Sequence, residues 1–272
     1  MHSSRFLWLM LIALTATAGC ATQRPASPAR ELSALELLAA PVEPNVRYYV
    51  ILFGSQGTPK TPARSHTWAM AIKATCVPGA RQPLLETHTI SWMPESLNVR
   101  WWKLNVEPGQ NASNEFSLER ALKTGQRISA WGPYETWSGL YTRFVVQKEF
   151  LESGAVGYQC VDTLGEAARR RNGCDCYHAL SDMDPYFDRR RYPQYLYGEA
   201  ATRNIVRQLQ ERPTLISPDQ THDWLFCALG LDAYPIVRRR YRGESVEFSP
   251  EAVLEYIRRQ ARSGGAAGNK LE

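Results

Sequence analysis

The chain has 272 residues with 44% hydrophobic content, eight Trp and thirteen Tyr, enough apolar bulk for one sizeable core. Its formal charge of +5 is modest but clustered, in the triplets Arg169 to Arg171, Arg189 to Arg191 and Arg238 to Arg240. After the N-terminus no stretch reaches the roughly 20 apolar residues that span a bilayer.

The N-terminal segment reads as a targeting signal. Arg5 supplies a basic start, Phe6 to Ala16 form a short apolar run, and small residues follow. Thr17-Ala18-Gly19-Cys20 resembles a bacterial lipobox, with Thr17 where Leu is most common. The resemblance implies a signal peptide over 1–20 and acylation of Cys20, hence a membrane-anchored lipoprotein of the cell envelope. Residues 21–44, with Pro25, Ser27 and Pro28, read as a tether that includes a short amphipathic helix from Glu31 to Ala40. With Cys20 acylated, five thiols remain: Cys76, Cys160, Cys174, Cys176 and Cys227. Five is odd, so export predicts at least one free thiol or an intermolecular pair. The arginine triplets read as solvated turns, or as contacts to anionic lipid headgroups or acidic wall polymer. No nucleic-acid partner is expected at this address.

A single α+β domain is expected over 45–262, with an antiparallel sheet packed against helices and extra helices at the C-terminal end. Arg47 to Phe53 is an apolar run of strand length, closed by Gly54 and Gly57. His66 to Ala74 is a second strand that places His66, Trp68, Met70 and Ile72 on one face. Leu85 to Trp92 is a third, with Glu86, His88, Ile90 and Trp92 together, and Pro78-Gly79 marks the turn between them. Register decides whether the two histidines meet. A turn centred near Val77 pairs them directly, whereas one centred on Gly79 offsets them by about four residues, roughly 13 Å.

Val99 to Val106 is expected as a strand carrying Trp101 and Trp102, and Glu107 to Asn111 as a turn. Ser117 is expected to cap a short helix stopping at Gly125. A brief strand from Arg127 to Trp131 leads into an aromatic corner, Trp131-Gly132-Pro133-Tyr134. The spacing of Trp137, Leu140, Tyr141, Phe144 and Leu151 predicts a core helix from Thr136 to Ser153, ended at Gly154. Val156 to Val161 reads as a strand with Cys160. Gly198 to Gln210 and His222 to Leu229 are amphipathic helices, the latter with Cys227 on its apolar side, and Ser249-Pro250-Glu251 starts a last helix to Arg262. Residues 263–272 read as a disordered tail.

The sharpest chemical signal is Asn172-Gly173-Cys174-Asp175-Cys176-Tyr177-His178 running into a helix. Cys176 falls at that helix's first turn, where unpaired N–H groups and the macrodipole favour a thiolate. The alternatives are a structural disulfide, a buried thiol, or a metal site made by Cys174, Cys176 and His178. The last lacks a fourth ligand and the usual zinc-knuckle spacing. Asp182, Asp184 and Asp188 have no recognisable ligand spacing, and Asp184-Pro185 reads as a helix stop.

His66-Thr67-Trp68-Ala69, then Leu85-Glu86-Thr87-His88, then Cys176-Tyr177-His178 resemble, in that order, three motifs of the circularly permuted papain-like proteins of the lecithin retinol acyltransferase type. The first has one residue inserted after the histidine, and Asp175 stands where Asn usually precedes the cysteine. The resemblance implies a permuted papain-like fold, with Cys176 as nucleophile, His66 as its base and His88 orienting His66, and no cofactor or metal. A thiolate then attacks an acyl carbon and an imidazole shuttles the proton. In an envelope lipoprotein the expected substrates are cell-wall stem-peptide amides or lipid esters, which makes the chain a thiol hydrolase or acyltransferase. The alternative is a catalytically inactive envelope lipoprotein stapled by disulfides from Cys174 and Cys176 to Cys160 and to Cys76 or Cys227.

Overall fold

The computed structural model describes residues 43–170, 172–184, 196–211 and 214–240. The signal segment with Cys20, nearly all of the tether, Arg171, Arg189 to Arg191, Asp188, the helix from Ser249 and the tail lie outside the described residues. The domain is α+β: five strands form one sheet, with helices on both faces.

β1 (Val46–Gln56) is the sheet's central strand, and its unbroken run Tyr49 to Phe53 is buried on both sides. Val50 and Leu52 face one core, and Tyr49, Ile51 and Phe53 face the other. β2 (Ser65–Thr75) and β3 (Leu84–Ile90) add antiparallel strands on one side. On the other side β6 (Arg127–Thr136) pairs antiparallel with β1, and β9 (Ile236–Arg239) pairs parallel with β6. Two small sheets stand apart: β4 (Trp92–Pro94) with β5 (Gly109–Asn111), and β7 (Gly157–Tyr158) with β8 (Gly173–Cys174).

The Val50 face is covered by α2 (Ser138–Glu152), α4 (Cys176–Ser181) and α5 (Glu199–Glu211), and the Ile51 face by α1 (Asn114–Lys123) and α6 (Trp224–Ala228). Among the described residues no helix is long and apolar enough to cross a membrane.

Several expectations change. Val99 to Val106 is not a strand. Lys103 N–H donates to the Arg100 carbonyl to make a turn, Arg100 and Lys103 both reach Glu107, and Trp101 and Trp102 are left exposed. Residues 109–111, expected as a turn, pair with β4. The cap of α1 is Ser113, whose hydroxyl accepts from Phe116 N–H, and Ser117 lies inside the helix. β6 continues through the aromatic corner, absorbing one extra residue between Trp131 and Tyr134 as a bulge against Val50 and Leu52. Only two residues of Val156 to Val161 pair as strand, and Cys227 is exposed because Leu225 and Phe226 supply the buried side of the five-residue α6. β9 takes Arg238 and Arg239 out of a presumed turn and into the sheet edge.

Candidate functional site

Strand alternation divides the sequence's candidate residues. Along β2, Trp68, Met70 and Ile72 enter the core beneath α1, whereas Ala69 and Ala71 enter the core beneath α2 and α4. His66 follows Trp68: its ring stacks on that indole at 5.4 Å between centroids, and Trp68 stacks in turn on Phe53 at 5.2 Å. Thr67 goes the other way. Its hydroxyl donates to the Gly198 carbonyl and lies 3.2 Å from the Thr202 hydroxyl of α5.

The protons around His66 can be traced. Ser117 donates its hydroxyl proton to the Ser113 carbonyl at 2.7 Å. Its oxygen therefore accepts from Ser91 Oγ, also at 2.7 Å, and Ser91 in turn accepts from His66 Nε2–H at 2.7 Å. This fixes the tautomer, with the lone pair on Nδ1. Burial, followed by the nearby Arg120 guanidinium, lowers the His66 pKa to about 3, so the ring is neutral at physiological pH. A base would have to accept the Ser91 proton, and here the imidazole donates to that oxygen instead. The pair is therefore not a Ser–His nucleophile couple.

His66 lines a small cleft with Ser65, Leu97, Ser117, Arg120 and Gln126. Arg120 donates to the Leu97 carbonyl at 2.5 Å, and no carboxylate pairs with it among the described residues. Gln126 accepts from the buried Ser55 hydroxyl. The cleft thus offers one guanidinium, hydroxyls and a neutral imidazole, an arrangement that accepts a small polar or anionic group.

Cys176 lies on the far side of β2, at the first position of α4, as its sequence context predicts. Asp175 is the N-cap, and its Oδ1 accepts from His178 N–H at 2.7 Å. The preceding β8 is pinned because Trp92 Nε1–H donates to the Cys174 carbonyl. Burial, then the Asp175 carboxylate and the Cys160 thiol, push the Cys176 thiol far up, while the N–H groups of Thr67 and of Cys176 itself act weakly the other way. Cys160 rises to about 12, first through burial and then through Asp175. The expected thiolate is therefore not favoured: α4 is six residues long, and a carboxylate already occupies its positive end.

His178 has its own partners. Its Nδ1 lies 2.8 Å from Asp162 Oδ1 and 3.2 Å from Asp175 Oδ1. Burial works against its charge, but the two carboxylates win and raise it to about 10, so an imidazolium is held inside the protein. The donor atoms of Asp162, Asp175 and His178 lie within 4.8 Å of one another, and these are the described residues best placed to hold a cation. The protonated imidazole does that work itself. The cysteines are not part of this trio, contrary to the metal set of Cys174, Cys176 and His178.

The sequence-predicted triad is not assembled. β2 and β3 pair about a centre between Gly79 and Ala80, so His88 sits opposite Ala71, five residues from His66. Five residues is about 16 Å of strand, and an odd offset also places the two rings on opposite faces. His88 instead meets Glu86 Oε1 at 3.1 Å and packs edge-on against Tyr141 of α2, so it does not orient His66. Nor does His66 share the face that α4 approaches: strand alternation gives that face to Thr67, whose N–H meets the Cys176 sulfur. The five described cysteines are all free, which leaves no staple among them. Sequence reasoning missed Ser91, Ser117, Arg120 and Asp162. Arg120 alone left a trace, as a cation on the helix that follows the hairpin.

Compared with protein-family models, with curated proteins and with solved structures, the chain matches none of them.

Proposed function

We propose that the chain is an envelope lipoprotein, anchored through acylated Cys20, whose domain acts by binding rather than by thiol hydrolysis. The observation that carries this reading is the alternation of β2, which turns His66 to the Arg120 cleft and presents Thr67 to Cys176. A permuted papain-like scaffold remains part of the proposal. Its support is the order of the three motifs and the packing of a cysteine-initiated helix beside the first of them. The Arg120 cleft suits a carboxylate-bearing ligand such as a cell-wall stem peptide, and the membrane lipid is met through the anchor.

Alkylation tests this reading. Iodoacetamide at neutral pH, mapped by peptide mass, is expected to label the exposed Cys76 and Cys227 first, well ahead of Cys176 and the buried Cys174. Fastest labelling at Cys176 overturns it. The second reading, a thiol hydrolase or acyltransferase, draws support from the two N–H groups at the Cys176 sulfur, the donors an oxyanion would need. Turnover of a stem-peptide amide or a lipid ester that disappears in Cys176→Ala would establish it instead.

A further inference from the structure

The loop that the sequence casts as a strand carries the most conspicuous apolar surface of the domain. Trp101 is 53% exposed, Trp102 63% and Leu104 49%. The two indoles meet edge to face with centroids 5.8 Å apart, so each braces the other instead of folding back onto the core. Leu164, 54% exposed, extends the patch from a second segment: Glu166 N–H donates to the Leu104 carbonyl at 2.8 Å. The residue between them, Gly165, is so close that a Cβ there would stand 2.4 Å from that carbonyl oxygen. The loop's base is built. Arg120 holds the Leu97 carbonyl, Glu107 anchors Arg100 and Lys103, and the Glu166 carboxylate accepts from Val106 N–H.

Cations surround the patch. Arg100 and Lys103 share the single carboxylate of Glu107, Arg170 pairs with Glu166, and Arg169 is exposed at the end of α3 (Gly165–Arg170). Four positive side chains therefore stand against two negative ones. Indoles and leucines projecting from a rigid loop within a basic rim match the headgroup level of a bilayer. There an amphipathic ring is stable, and each nearby Lys or Arg gains from anionic lipid.

We propose that Trp101, Trp102, Leu104 and Leu164 form a membrane-docking tip that inserts at the surface of an anionic phospholipid bilayer. This deepens the membrane-anchored reading but does not depend on acylation of Cys20. Docking the tip would give the tethered domain a fixed face toward the bilayer.

Hydrogen–deuterium exchange of the full chain on vesicles reads the tip and the N-terminus separately. With phosphatidylethanolamine–phosphatidylglycerol vesicles, amides of residues 98–104 and 163–170 are expected to gain protection. With phosphatidylcholine alone the gain is expected to be largely lost. Trp101→Ser/Trp102→Ser should abolish it while the melting temperature stays near wild type, since both side chains are exposed. Protection that survives this double substitution, no protection on anionic vesicles, or equal protection without vesicles at high protein concentration would each overturn the proposal, the last by indicating a second copy of the chain. Protection of the tip with residues 1–30 unprotected counts against the N-terminal anchor alone.

Discussion

His178 is sequestered with two carboxylates in the interior, and that arrangement ties stability to pH. Its folded pKa of about 10 lies above the ordinary 6.5, so its stabilising contribution is full below pH 6.5 and is lost as the pH rises through 10. His66 behaves oppositely. With a folded pKa near 3, it stays neutral while the unfolded chain takes up a proton, so stability falls as the pH drops from about 6.5 toward 3. Urea midpoints at pH 4, 6, 8 and 10 should therefore peak near neutrality. His178→Gln should remove the alkaline slope and cost about 3–5 kcal/mol, because Asp162 and Asp175 then face each other without the cation. A variant as stable as wild type would sink that account. His66→Gln should instead flatten the acid limb. At this scale the placement of Cys176 at a helix start was legible from its Cys-x-His context, whereas the Asp175 cap emerges only in the structure. The thiol's protonation was not legible, because burial dominates it and Cys160 reaches it from a loop with no periodic pattern.

Among elements, the strands with strong apolar runs were legible and those defined by contact were not. β1, β2, α2 and α5 follow from periodicity, and α2 closes where expected, with Gly154 at φ 78°. The two-residue β7 and β8, and β9 with its arginines, have no local signature and exist because a neighbour offers a ladder. The His66–His88 question illustrates the limit. A loop longer by a single residue changes both the separation and the face, and sequence does not fix the register of an irregular turn. The approach of α5 to β1 was equally invisible. A Cβ at Gly54 would lie 2.6 Å from Thr202 Oγ1 and 3.0 Å from the Glu199 Cα, and that same hydroxyl donates to the Phe53 carbonyl. Gly54→Ala should cost about 1–3 kcal/mol by overpacking. Thermal unfolding measures it, and an unchanged midpoint would mean that α5 has room to move.

At the scale of the whole molecule, the two-faced sheet separates two chemistries. The α2–α4–α5 side holds Cys160, Cys174, Cys176 and the caged imidazolium, and the α1–α6 side opens the Arg120 cleft. If that cleft takes a carboxylate ligand, Arg120→Met should weaken binding of a stem peptide, measured calorimetrically, by at least about tenfold, the cost of one charge-assisted hydrogen bond. Unchanged affinity would place the ligand elsewhere. The α+β class could be read from the sequence, whereas this division of labour could not, since it depends on which way β2 alternates.

β9 completes the sheet from residues 236–239, more than a hundred positions after β6, the strand it pairs with. During synthesis, then, β6 waits with one row of backbone donors and acceptors uncovered while most of the remaining chain is still being made. Any open ladder of that kind is a template for a stray strand. β9 arrives last and carries Arg238 and Arg239, with Arg239 donating to Ser129 on β6. The latch that ends the vulnerable interval also places charge on the new outer edge, where a further strand would otherwise add. Chains cut before Ile236 should therefore be lost to aggregation and proteolysis during biogenesis, even though nearly every core side chain is already present.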